Sequence, residues 1–169
     1  MPSLLLPRRA ATLAICLAAA CGSREPARDM AVSATPVEVL PPFQQEIASL
    51  KAEVTLPGSW RYGYRLVDHP DTTSGAHRAI EFYYTADSAR GVQPALLLSI
   101  RAFKKPAWEK AIAAKPGFAK ALTEHDGNVY AFSIIAQSPY PVGSASTLRV
   151  DQMMISLMAE TSPFKLTFK

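Results

Sequence analysis

Apolar and polar residues change their spacing several times along the chain, and each change predicts an element. The first stretch, Ala10 to Ala20, has no period at all: it is an uncharged, mostly apolar run of about eleven residues behind Arg8-Arg9. Past Pro41-Pro42 the pattern becomes that of a folded domain. Phe43, Ile47 and Leu50 recur at helical spacing and predict a short amphipathic turn. Ala52 to Leu56 alternates as a half-buried strand does, and Pro57-Gly58 ends it. Trp60 to Val67 predicts a second strand, with Trp60, Tyr62, Tyr64 and Leu66 on one face and Arg61 and Arg65 on the other.

After a polar loop from His69 to His77, Arg78 to Thr85 reads as a third strand with Ile80, Phe82 and Tyr84 inward. Pro94 to Phe103 is a longer strand, placed centrally because its first half is apolar on both sides. A helix starting near Pro106 carries Trp108 and Ile112 on one face until Pro116-Gly117 stops it. Asp126-Gly127-Asn128 is a hairpin turn leading into Val129 to Ala136. Ser144 or Ser146 caps a second helix over about 145–159, with Leu148, Val150, Met153, Met154, Leu157 and Met158 on its buried side. Phe164 to Phe168 alternates as a closing strand. Together these elements predict one α+β domain over residues 43–169, a mainly antiparallel sheet of about five to seven strands with two helices packed on one face.

The aperiodic apolar run changes the picture of where the domain resides. It is too short to span a bilayer, which takes roughly 20 residues, and it matches the core of an export signal over residues 1–20. Leu17-Ala18-Ala19-Ala20-Cys21-Gly22 resembles the lipobox of bacterial lipoprotein precursors. That resemblance implies cleavage between Ala20 and Cys21, a diacylglycerol thioether on Cys21, and attachment to a membrane. The family prefers Leu where this chain has Ala18. Two acyl chains hold a protein stably where one is marginal, since each buried methylene contributes about 0.8 kcal/mol. Gly22 at the second mature position implies, by the same resemblance, an outer membrane and a periplasm-facing domain in a Gram-negative host. The competing reading is an ordinary secretory signal cut after Ala18-x-Ala20. Residues 21–42, rich in Pro, Ser, Ala and charged residues, read as a spacer between lipid and domain.

Charge narrows the partners. The 169 residues carry a formal +4, but loss of Arg8 and Arg9 leaves 16 basic and 14 acidic residues, and no basic run interleaved with aromatics follows. A nucleic-acid partner is therefore not expected. With 49% hydrophobic residues the chain can build a core, and with Cys16 and Cys21 as its two cysteines the domain must do so without a disulfide.

The series Leu56-Pro57-x-x-Trp60, Phe82-Tyr83-Tyr84, Ala107-Trp108-Glu109-Lys110 and Gly127-Asn128-Val129-Tyr130 resembles a pattern in small, uncharacterised exported bacterial domains. The resemblance covers about residues 52–136 and implies fold and export, with no catalytic residue to carry over.

Five side chains form the candidate ligand-binding set. Trp60, Tyr62 and Tyr64 with Arg61 and Arg65 would make an aromatic and cationic face for a glycan or peptide, against a competing reading in which the aromatics are core. His69, Asp71 and His77 are weighed as a one-loop metal clamp, though their spacing matches no known ligand pattern. His125-Asp126 with Ser144 or Ser146 is weighed as a hydrolytic centre, against the plain reading of a turn and a helix cap; no Gly-x-Ser-x-Gly is present. Pro141 to Ser144 is weighed as an anion cradle. No cofactor, metal or catalytic residue is assigned. The expected function is a non-catalytic envelope lipoprotein that binds a protein, lipid or cell-wall component. The alternative is a periplasm-facing hydrolase assembled from residues distant in sequence.

Overall fold

A computed structural model describes residues 40–169. The expected signal peptide over residues 1–20, the expected cleavage and lipidation site at Ala20 and Cys21, and most of the expected spacer lie outside the described residues. Two antiparallel sheets and two helices make the domain mixed α+β.

The smaller sheet has the order β1-β2-β8. Strand β2 (Ala52–Leu56) buries Ala52, Val54 and Leu56 completely, as its alternation requires. Its neighbour β1 (Phe43–Ile47) corrects the expected helical turn: the segment is extended, and only Ala48–Leu50 winds into a 3-10 turn. The spacing of Phe43, Ile47 and Leu50 fits a helix, but Phe43 and Ile47 also share a face at period two. The ladder from Phe43↔Leu56 to Ile47↔Ala52 supplies backbone partners that a one-turn helix lacks. Lys51, in the left-handed region at φ 49, reverses the chain between the two strands. Strand β8 (Lys165–Phe168) pairs with the other edge of β2.

The larger sheet has the order β3-β4-β5-β7-β6, comprising β3 (Tyr64–His69), β4 (Arg78–Tyr84), β5 (Ala95–Lys104), β6 (Lys120–His125) and β7 (Asn128–Ile134). Strand β5 is central, as its composition predicts. A register shift against β4 pairs Phe82 with Leu98 and Tyr83 with Leu96, so Leu97 is the extra residue and both Leu97 and Leu98 join the inner core. The β6–β7 hairpin turns on Asp126 and Gly127, both with positive φ (48 and 71), the two-residue geometry that matches strand twist. Strand β3 begins later than the alternation suggests. The turn at Pro57-Gly58 continues as a 3-10 turn through Trp60, held by the Trp60 and Gly63 N–H groups on the Pro57 and Trp60 carbonyls, and the chain straightens only at Tyr64.

Helix α1 (Lys105–Ala114) and helix α2 (Ala145–Met158) do not share a face of this sheet. Alternation sends Ile100, Ala102, Tyr130 and Phe132 inward, where the smaller sheet and Val150, Met153 and Leu157 of α2 cover them. Phe103 and Ala131 therefore point the other way, and they meet Trp108 and Ala111 of α1 together with Phe118. The expectation of both helices on one face is corrected accordingly. The smaller sheet occupies much of the inner face, so α1 uses the outer one. Ser144 caps α2 by accepting the Thr147 N–H at 3.1 Å. Of the residues assigned to its buried side, Leu148 and Met158 are instead 64% and 50% exposed.

Candidate functional site

A groove of about 670 Å³ lies along α2. Its walls are the Gly58–Ser59 turn and Tyr62-Gly63 on one side, Arg149, Gln152 and Ser156 of α2 on the other, and Thr161 to Pro163 at one end. Leu40 and Pro42 also line it, so the chain joins the domain at the groove. The close approach there requires Gly58: a Cβ would stand 2.0 Å from the Leu40 carbonyl oxygen.

Hydrogen bonds fix the base of the groove. Trp60, fully buried, donates from Nε1 to the Met153 carbonyl at 2.9 Å, and Ser156 Oγ donates to the same oxygen at 2.8 Å. Ser156 has thereby used its proton, so Ser59 Oγ donates to it across 2.6 Å. Arg149 is the one charged residue lining the groove. Its guanidinium lies 3.6 Å from the buried Asp87 carboxylate, which also accepts from the Tyr84 hydroxyl and, at 2.7 Å, from Ser146. Hydrogen bonds from Tyr84 and Ser146 hold the Asp87 carboxyl below the usual carboxylate range, so it remains a fixed anion behind Arg149. The lining offers hydroxyls, an amide, apolar wall and one cation, which suits it to binding.

The five candidate ligand-binding side chains are divided by the fold. Trp60 is core, packed against Tyr64 and Phe82 at 6.1 and 6.2 Å between ring centroids. Tyr64 is half-buried and donates to Gln45 at 3.0 Å; burial pushes its hydroxyl up to about 12. Arg61 lies over Phe43 and donates to the Pro41 carbonyl, while Arg65 points to the opposite side, over Tyr83. Tyr62, 82% exposed, alone reaches the groove.

The weighed catalytic set is likewise separated. His125 stacks on Phe168 at 4.0 Å beside the hairpin, where Asn128 pairs with Lys104 at one end of β5. Ser144 caps α2, and Ser146 bonds Asp87 next to Tyr84, which pairs with Ala95 at the other end of the ten-residue strand. That separation is roughly 30 Å at 3.4 Å per residue. Ser144 has its oxygen committed to the Thr147 N–H, which makes Pro141 to Ser144 a helix cap in its present form.

On the outer face, the loop weighed as a metal clamp is bound otherwise. Asp71 accepts from the Thr73 and Ser74 N–H groups and hydroxyls, and Arg101 of β5 donates to it at 3.1 Å. His69 turns to Glu81 at 3.2 Å. Among the described residues no group of three or more His, Cys, Asp or Glu is placed to hold a metal ion. No helix among them is long and apolar enough to cross a membrane.

The groove residues on α2 are absent from the sequence-based candidates because each, taken alone, is an ordinary polar helix position. The legible signal is the helix as a whole: Leu148 and Ile155 lie opposite Val150, Met153 and Leu157, so α2 is apolar on two sides. No protein-family model, curated protein or solved structure matches the chain.

Proposed function

We propose that this chain is an envelope lipoprotein, processed before Cys21 and tethered by lipid on that cysteine, whose domain is a non-catalytic binding or accessory module. In a Gram-negative host it sits at the outer membrane and faces the periplasm. Its ligand, a protein segment, lipid or cell-wall component, binds in the groove beside α2. The observation that carries the binding reading is the groove's lining, which combines apolar walls, hydroxyls and a single cation, Arg149, backed by buried Asp87. The tether rests on Leu17-Ala18-Ala19-Ala20-Cys21. A hydrolase built from His125, Asp126 and Ser144 or Ser146 is disfavoured by their separation along β5.

Two measurements test the two halves. Mass spectrometry of the mature N-terminus is expected to find diacylglycerol on Cys21; a free thiol there refutes the tether. Native mass spectrometry of protein extracted from the envelope is expected to show a bound mass that Ala159→Trp, which fills the groove from its rim, removes. An adduct that survives this substitution places the ligand elsewhere.

A further inference from the structure

Charge and hydrogen-bond donors are distributed unevenly along the groove. Arg149, Gln152, Ser156 and Ala159 stand on one side of α2, at spacings of three and four residues, and form the helix's edge of it. In the middle of this row the hydroxyl protons are spent, because Ser59 donates to Ser156 and Ser156 to the Met153 carbonyl. Leu40 packs on Gly58 beside that pair, so the wall there is apolar. Thr161 and Ser162 close one end with hydroxyls, next to exposed Glu160 and the C-terminus of α2, whose free carbonyls carry partial negative charge. An anion is repelled from that end and favoured at the other.

At the Arg149 end the balance of charge is positive. Arg149 and Arg90 each place Nη1 3.6 Å from the same Oδ1 of Asp87. The other Asp87 oxygen accepts from Tyr84 and Ser146, and the side chain is 4% exposed, so this carboxylate cannot meet a ligand. Arg149 and Asp87 alone would make a neutral pair; with Arg90 two cations share one anion, and the cluster keeps a net positive charge. At 3.6 Å neither contact is a hydrogen bond, and among the described residues neither guanidinium makes one elsewhere. The N–H groups of half-exposed Arg149 are therefore unspent at the groove, in the planar fork that fits the two oxygens of a carboxylate or phosphate. Gln152, one turn further along α2, adds an amide donor.

We propose that the groove takes a small amphiphile with one oxyanion group, a carboxylate or a phosphate, on Arg149 and Gln152, and an apolar body lying towards Ala159. This narrows the ligand of the proposed binding groove and rests on that reading. From Gln152 to Ala159 the helix rises roughly 10 Å, which sets the length of the apolar body. The groove volume of about 670 Å³ is that of a small-molecule site.

The test uses the full mature chain made without the acyl group, so that no detergent competes for the groove. Calorimetric titration is expected to show octyl phosphate and octanoate binding at least about tenfold more tightly than octyl glucoside or octyltrimethylammonium. Arg149→Gln should weaken octyl phosphate roughly 10–100-fold, while Arg149→Lys, which keeps the charge, should restore most of the affinity. Dodecanoate should bind within about twofold of octanoate, because its extra methylenes find no apolar wall. Equal affinity for octyl phosphate and octyl glucoside, or an Arg149→Gln variant that binds octyl phosphate as the parent does, overturns the inference and leaves the groove standing as a binding site. Inorganic phosphate that binds as tightly as octyl phosphate overturns the apolar body. Octyl phosphate binding that survives Ala159→Trp lies outside the groove and overturns the inference too. If none of the alkyl probes binds, the inference falls, and the adduct from the envelope, lost or kept in Ala159→Trp, still decides the groove by itself. An adduct that proves to be a polypeptide assigns the groove to a protein segment and likewise overturns it.

Discussion

Replacing Trp60 with Phe separates the folded arrangement from the alternating strand that the sequence suggests. In the structure Trp60 is completely buried, donates to the Met153 carbonyl at 2.9 Å and lies edge-on to Phe82. The substitution removes one buried hydrogen bond, a loss of about 0.5–1.5 kcal/mol. The Met153 carbonyl keeps its Ser156 donor, so no polar atom is orphaned. The smaller ring leaves roughly 40 Å³ unfilled, and at about 24 cal/mol per Å³ this adds about 1 kcal/mol. The expected total is about 1.5–2.5 kcal/mol, a drop in Tm on the order of 5–10 °C for a domain of this size. Trp60→Ala should cost about 3–5 kcal/mol. Tyr62→Ser, at a residue 82% exposed, should stay within about 0.5 kcal/mol. Urea unfolding followed by far-UV circular dichroism measures all three, with an unchanged m-value required for comparison. If Tyr62→Ser cost as much as Trp60→Phe, the two side chains would share a buried face and the 3-10 turn would be wrong. If Trp60→Phe cost under about 0.5 kcal/mol, the indole would not join α2 to the sheets as described.

Asp71→Ala should free the Pro70–Ala76 loop from Arg101 and cost about 1–3 kcal/mol, visible as faster hydrogen exchange at Thr73 and Ser74. Burial alone would raise the Asp71 carboxyl, but hydrogen bonds from Ser74 and Thr73 outweigh it and hold the group well below the usual carboxylate range. Its contribution is therefore complete above the unfolded value near 3.8 and is lost only as pH falls through the depressed one, so a loop released at pH 5 by loss of the Asp71 charge contradicts this. Gly127→Ala puts a Cβ at φ 71 and should lower stability by about 1–2 kcal/mol through the β6–β7 hairpin; thermal unfolding unchanged from the parent would speak against the two-residue turn. Gly58→Ala should displace Leu40 from the groove wall, raising amide exchange at Leu40, Phe43 and Gln44 while α1 keeps its protection.

By itself the sequence determined whatever is decided within a few residues. The Asp126-Gly127 hairpin, the Ser144 cap, the proline start of α1 and the alternation of Ala52 to Leu56 and Arg78 to Tyr84 follow from local backbone sterics, capping and side-chain period. The central place of β5 was legible because only a strand covered on both sides tolerates such an apolar run. Strand β6 was less so: Lys120 to His125 is half-exposed at a sheet edge and carries little alternation of its own.

Only the tertiary structure decided the rest. Phe43 to Ile47 is extended because β2 offers it a ladder, a partner no local pattern reveals. The strands divide between two sheets because β8 pairs with β2 across more than a hundred residues, and the smaller sheet then leaves α1 the outer face. Trp60 and Tyr62 part company at a turn whose hydrogen bonds, not whose period, set their directions. The groove exists for the same reason: Ser59, Tyr62, Arg149 and Ser156 meet through long-range packing, and no spacing along one strand of text encodes which surfaces come together.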